Sequence, residues 1–405
     1  MHIKEAISKG TFVIDGAMGT AVQSIDTDID RDYLGRENCT DILSKSRPEL
    51  VEQIHTSFLE VGVDAVETNT FGANKLVLSE FDAEAATWAY ELNVTSAVIA
   101  RKACEQFGGD RYVLGSMGPG TKLISLGQTA WDQMFASYEE QARGLIEGGV
   151  DAFLIETCQD ILQVKCAINA CLHALQASGK SVDEIPIMVS ITVETTGTML
   201  VGSDVQTVVH ALKPYPILSL GLNCATGPEL MEPHLAWLSK HWDRKISVVP
   251  NAGLPVLVEG EAYFPLSAHA YGAHMKQFVQ KYDIDIVGGC CGTTPEHLKS
   301  FIDALPELQH DRRSLIELAP SATSLYQPIE FKQDTSILIV AERTNANGSR
   351  KFKRLLEEEQ WDGLVEMAKE ELAGGAHVLD VCVDYVGRDG AADMDEIVGR
   401  LAQHV

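Results

Sequence analysis

No apolar run in the 405-residue chain approaches the roughly 20 residues that a membrane-crossing helix needs, so no membrane span is expected. The opening decapeptide, MHIKEAISKG, lacks an apolar core of signal-peptide length, so the expected location is cytoplasmic. Basic residues are scarce: 32 Lys and Arg stand against 58 Asp and Glu, a formal charge of −26. A surface of that sign is repelled by phosphate backbones and anionic lipids, which argues against nucleic-acid or membrane-surface partners. Cysteine is sparse and odd in number, nine in all, which suits free thiols or metal ligation better than a disulfide framework. No C-x2-C spacing occurs, which disfavours a four-cysteine structural zinc site. Low-complexity segments are also missing.

What is present is alternation. Short apolar runs, of the kind that form strands buried on both faces, alternate with longer amphipathic stretches. The runs are TFVIDGAMGT (11–20), DAVETNTFG (64–72), YVLGSMGPG (112–120), DAFLIET (151–157), IPIMVSITVE (185–194), PILSLGLNCA (216–225), ISVVPNAG (246–253) and DIDIVGGCCG (283–292). Helical patterns fill the gaps, among them 85–107, 132–149, 160–176 and 272–282. Eight strand–helix units predict an α/β chain built on a (β/α)8 TIM barrel. A doubly wound open sheet is the alternative, but no G-x-G-x-x-G follows the first strand. In a barrel the active site lies at the C-terminal strand ends. Polar residues gather at those ends: Asp15, Glu67, Asn69, Ser116, Glu156, Glu194, Cys224, Asn251, Cys290 and Cys291.

Composition divides the chain into a barrel over 1–308, a Pro-, Ser- and charge-rich linker over 309–335, and a second α/β segment over 336–405. That segment predicts a strand at 336–342, a helix within 350–375, a strand at 377–384 and a helix at 394–405. Two βα units cannot close a parallel barrel. The expectation is a truncated chain, or a tail that docks elsewhere.

Cys290 and Cys291 stand side by side in GGCCG. Neighbouring strand residues point to opposite faces, yet Gly288, Gly289 and Gly292 permit a turn that aims both thiols at one point. Cys224, in GLNCATGP, ends the sixth strand on the same rim. Three thiolates with a fourth position open make a catalytic zinc site, so Cys224, Cys290 and Cys291 are the expected Zn²⁺ ligands. A strained vicinal disulfide is the alternative, and it leaves Cys224 without a role. Cys39, Cys104, Cys158, Cys166 and Cys171 read as small buried hydrophobes. The bracketed turn Gly16-Ala17-Met18-Gly19 can point several N–H groups inward as carboxylate donors. Ser116 reads as a substrate contact or a turn start. Asn251 reads as an amide oxygen for zinc in the absence of substrate, or as a turn residue.

Taken together, GGCCGTTPEH, GLNCATGP, DGAMGT and ETNTFGAN resemble the homocysteine S-methyltransferase family, in the expected order over about residues 8–308. The resemblance implies that L-homocysteine binds with its sulfur on zinc and its amino group held by Asp15 and Glu156. From the residues alone, Asp15 could be a turn former before glycine and Glu156 a core ion pair. ERTNANGSRKF (342–352) resembles the opening of the methyltetrahydrofolate-binding barrel in the family of cobalamin-dependent methionine synthases. That implies 5-methyltetrahydrofolate as ultimate donor, contacts from Glu342, Asn345 and Asp380, and methylcobalamin as immediate donor on a domain or subunit outside this chain. Where the family usually has Asp-Val/Ile-Asn, this chain reads LDVCVD with Cys382 in place of Asn. The cobalt-binding pattern Asp-x-His-x-x-Gly is absent. A homocysteine methyltransferase using S-methylmethionine or betaine would not need ERTNANGSRKF. A non-catalytic zinc or thiol-redox module would leave Asp15 and Glu156 unexplained.

Overall fold

A computed structural model describes residues 1–258, 261–305 and 313–405. Eight parallel strands carry the first part of the chain: β1 (Phe12–Val13), β2 (Ala65–Glu67), β3 (Tyr112–Met117), β4 (Ala152–Cys158), β5 (Ile187–Ile191), β6 (Ser219–Asn223), β7 (Lys245–Val249) and β8 (Ile286–Val287). They pair as β1-β8-β7-β6-β5-β4-β3-β2. A parallel bridge from Ile14 to Ala65 joins the two ends and closes the barrel. Register runs Val66 to Val113, Leu154 to Met188 and Ile286 to Ser247.

Alternation along each strand sorts the side chains. Phe12, Ile14, Tyr112, Leu114, Ala152, Leu154, Met188 and Ile286 fill the lumen, with Ile3 and Ile7 of helix α1 (Ile3–Lys9) packed among them. Their neighbours Val13, Val66, Val113, Phe153, Ile187, Val189, Leu220 and Val248 face outward into the larger apolar layer under the helices. Both layers are dry, which is why these strands read as continuous apolar runs. The helices that matter below are α2 (Met18–Gln23), α3 (Pro48–Glu60) and α4 (Pro295–Ile302), the last opened by a capping box between Thr294 and His297 with Pro295 in the first turn.

The second segment holds only a two-stranded parallel pair among the described residues, β9 (Val340–Ala341) with β10 (Val378–Leu379). The strand expected over 336–342 is therefore shorter. The helix expected within 350–375 is two helices, Arg350–Glu357 and Trp361–Ala373, broken where Glu359 adopts φ +53°. The expected linker contains order: Ser321–Thr323 pairs antiparallel with Pro328–Glu330. Ser203 and Thr207 donate to the carbonyls of Leu325 and Tyr326 at 2.5 and 2.9 Å, tying this ribbon to the barrel. The expected domain edge at 308/309 lies outside the described residues. No helix among the described residues is long and apolar enough to cross a membrane.

Candidate metal centre and amino-acid pocket

Two loops, those after β6 and β8, bring three sulfurs together at the C-terminal mouth of the barrel. Cys224 Sγ lies 3.9 Å from Cys291 Sγ, and Cys290 Sγ lies 4.0 Å from Cys291 Sγ. All three sulfurs fall within 4.8 Å of one another, and none is in a disulfide. A tetrahedral zinc ion with Zn–S bonds of about 2.3 Å sets its sulfurs about 3.8 Å apart. The two separations through Cys291 match that spacing, so the donor set suits zinc. Asn251 adds a second sign of fit: its Oδ1 is buried and has no hydrogen-bond partner.

The local backbone explains how adjacent cysteines converge. Gly288 and Gly289 leave no room for a Cβ, which would meet Ile14 at 2.2 Å and Thr293 at 2.3 Å respectively. Gly292 takes φ +79° and is covered by Phe264. Backbone bonds then stitch the loops: Cys290 N–H to Pro250 O at 2.9 Å, Ala252 N–H to Cys291 O at 2.9 Å, and Cys224 N–H to Val249 O at 3.2 Å. Thr293 Oγ1 donates to Cys290 O at 2.6 Å, and Thr20 Oγ1 accepts from Gly292 N–H at 2.9 Å, joining the cysteine loop to helix α2. Cys224 and Ala225 both adopt left-handed φ, +59° and +54°, a conformation that costs about 1–3 kcal/mol per residue and gathers at functional sites.

Without a cation the thiols divide their charge. Cys291 is pushed down to about 3, first by the S–H of Cys224 and then by that of Cys290. Cys290 is pushed up, because its neighbours Cys224 and Cys291 hold its proton and oppose a second charge. Three thiolates together need a divalent ion, which would deprotonate all of them. Cys39, Cys104 and Cys166 behave as buried hydrophobes: burial raises each to about 12.

Beside the sulfurs lies a cavity of about 380 Å³. Its wall includes Gly16, Ala17, Met18, Gly19, Ser116, Glu156 and the three cysteines from the sequence reading, together with Glu67 and Asn69. Among its described lining residues there is no lysine, arginine or histidine. The amides of Met18 and Gly19 open α2, where no intrahelical carbonyl reaches them. Asp15 and Asn251 do not form the wall. Asp15 lies behind it, fully buried, with Oδ1 accepting from Glu67 N–H at 3.0 Å. Asn251 sits in the β7 loop beside the backbone of Cys291.

Burial dominates the electrostatics. Desolvation raises Asp15, Glu67 and Glu156, with Glu156 reaching about 7 although Ser116 Oγ donates to its Oε1 at 2.5 Å. Two carboxylates on the wall, Glu67 and Glu156, with Asp15 buried behind them, call for a cationic ligand group.

Several participants escaped the sequence reading. Thr157, on the cavity wall, has φ +58° and is held by Asn223, which accepts from its N–H at 2.9 Å and donates to its Oγ1 at 2.7 Å. Asn223 directly precedes Cys224, and that adjacency was the one available signal. Thr20, Thr293 and Phe264 carried none, because their roles come from contacts between distant loops.

In the second segment Asn345 Nδ2 donates to Asp380 Oδ2 at 2.9 Å, and residue 345 bridges Cys382 in parallel. Glu342 and Asp380 are exposed. Glu342 flanks the Asn345–Gly348 turn, and Cys382 Sγ accepts from Asn347 Nδ2 at 3.6 Å.

A closed α/β barrel with a thiol cage and an acidic pocket at its mouth is the architecture of an enzyme with a metal centre at the C-terminal strand ends. The homocysteine S-methyltransferase family profile matches residues 12–305, and the chain belongs to that family. The pterin binding enzyme profile matches residues 341–404. The chain is 44% identical over 401 residues to methionine synthase of Mycobacterium tuberculosis (strain ATCC 25618 / H37Rv), across 98% of this chain and 33% of that protein. It is 43% identical over 405 residues to methionine synthase of Mycobacterium leprae (strain TN), with the same coverage of 98% and 33%. The chain thus spans about a third of the length of these curated relatives. The fold also matches the homocysteine methyltransferase MmuM from Escherichia coli. Its metallated form gives a TM-score of 0.56 at 21% identity, over 72% of this chain and 95% of that one. The apo form gives 0.54 at 21% identity, over 73% and 95%.

Proposed function

We propose that this chain binds L-homocysteine and prepares its thiol for methylation to methionine, as about a third of a cobalamin-dependent methionine synthase. The observation that carries the proposal is the three-sulfur cage opening onto a cavity lined by carboxylates and, among the described residues, by no cationic side chain.

Each part of the substrate then has a counterpart. Glu156, with Asp15 behind it, receives the ammonium, and the gain of a cation offsets the desolvation that raises both acids. The amides of Gly16 to Gly19 receive the carboxylate. Ser116 holds Glu156 in place. Cys224, Cys290 and Cys291 hold zinc, and Asn251 Oδ1 is available to it when no substrate is present. Bound zinc supplies the Lewis acidity that keeps the substrate sulfur ionised near neutral pH. The three cysteinates leave the centre with excess negative charge, so the sulfur stays nucleophilic where neutral imidazole ligands would draw charge from it. Phe71 and Phe264 supply apolar surface to the cavity wall.

The donor assignment rests on the second segment. Glu342, Asn345 and Asp380 form the opening part of a 5-methyltetrahydrofolate site, and methylcobalamin is carried by a domain or subunit beyond this chain. Residues 1–308, 309–335 and 336–405 accordingly act as barrel, connector and folate-domain start, in the cytoplasm. The test is to supply free methylcobalamin, S-methylmethionine or betaine with homocysteine and the zinc-loaded chain. Methionine formed from methylcobalamin alone is expected. Turnover with S-methylmethionine or betaine and none with methylcobalamin contradicts the assignment.

A further inference from the structure

The amino-group site and the metal cage sit on different strands, yet one side chain spans them. Asn223 ends β6, one residue before Cys224, and is fully buried. Its amide brackets Thr157 on β4 with two hydrogen bonds, 2.9 Å from the Thr157 N–H and 2.7 Å to Thr157 Oγ1. Thr157 is a β-branched residue at φ +58°, a conformation it does not adopt unaided. The pairing of β4 with β5 shifts register at this point, between Ile155 and Cys158. The forced turn at 157 sets the aim of Glu156, whose carboxylate is held from the other side by Ser116. The Asn223 backbone is fixed in its turn, its carbonyl accepting from Thr192 Oγ1 at 2.9 Å.

We propose that Asn223 is a positioning residue that fixes the separation between Glu156 and the thiolate cage, and so sets the length of amino-acid thiol the site accepts. A separation fixed for the two methylenes of homocysteine leaves the single methylene of cysteine short of one end. The proposal rests on the substrate reading given above and adds the element that measures the substrate. A methylene sensed only by apolar contact discriminates by about 10- to 200-fold at most. Charged contacts at both ends can read length only when the two ends are rigidly spaced, and the bracket supplies that rigidity.

The experiment is calorimetric titration of the zinc-loaded chain with L-homocysteine, L-cysteine and 4-mercaptobutyrate, which is homocysteine without its amino group. In Asn223→Ala, homocysteine should weaken by about 10- to 100-fold, the worth of a misaimed charged hydrogen bond. Binding of 4-mercaptobutyrate and zinc content should stay unchanged, and the preference for homocysteine over cysteine should shrink. In a Thr157→Gly background, where glycine holds the positive φ without help, Asn223→Ala should leave the preference as it finds it. Equal weakening of homocysteine and 4-mercaptobutyrate, or an unchanged preference, overturns the proposal. If Asn223→Ala alone does not fold, the Thr157→Gly and double variants decide, and a further loss of preference in the double variant overturns it. A wild-type chain that binds homocysteine no better than 4-mercaptobutyrate overturns the pocket reading, and the proposal with it.

Discussion

The chain contains two parallel sheets made from similar apolar strands, and they end in different states. In the first, the bridge between Ile14 and Ala65 closes the ring, and residues such as Val66, Val113, Val189 and Val248 are fully buried. In the second, β9 and β10 pair only with each other among the described residues, and Ile337, Ile339 and Val340 remain 77%, 43% and 50% exposed. Apolar sequence makes a strand, but ring closure decides whether it is buried. The same contrast governs chemistry. In the closed ring, the C-terminal ends of β1, β2, β3, β4, β6, β7 and β8 and the loops beyond them converge on one cavity. In the open pair only two strand ends contribute, and Glu342 and Asp380 face solvent.

The largest effect that would sharpen this contrast is at the cage. Cys224→Ala should abolish zinc retention and methionine formation while circular dichroism stays native, whereas Cys382→Ala in the open segment should leave both intact. Loss of zinc from the second variant would break the comparison. Next comes packing. Val248→Ala should destabilise the barrel by about 2 kcal/mol in urea unfolding, since a fully buried methyl pair is removed. A similar size attaches to Asp41, whose Oδ1 accepts from Gly72 N–H at 2.9 Å and which burial raises to about 6. A carboxyl raised on folding favours the native state when protonated. That contribution is full below about pH 4 and is lost as pH rises through about 6, up to about 3 kcal/mol. Asp41→Asn should flatten stability over that window; a slope equal to that of wild type would discard the assignment. The smallest effect belongs to the open edge, where Ile337→Ser should change stability by less than about 0.5 kcal/mol.

Periodicity and charge made the eight strands, the three thiols and Glu156 legible, because each rests on residues close in sequence or on a rim that the fold class defines. Strand lengths were overestimated: the run TFVIDGAMGT yields only Phe12–Val13, since the glycines after Asp15 serve a turn. Order in the connector was missed because the bonds from Ser203 and Thr207 to Leu325 and Tyr326 join residues more than a hundred positions apart. The place of Asp15 behind the wall was equally hidden. It depends on Glu67 N–H, a contact between neighbouring strands that no local pattern encodes. Asn223 lay in the quoted motif GLNCATGP, but its function lies in the left-handed backbone of Thr157 on another strand.

The most direct measurement is the zinc K-edge absorption spectrum of the purified chain with and without L-homocysteine. Three sulfur scatterers at about 2.3 Å, rising to four when homocysteine is added, is the predicted result. A first shell dominated by nitrogen and oxygen, or a sulfur count that homocysteine does not change, would contradict the three-thiolate cage and the activation of substrate built on it.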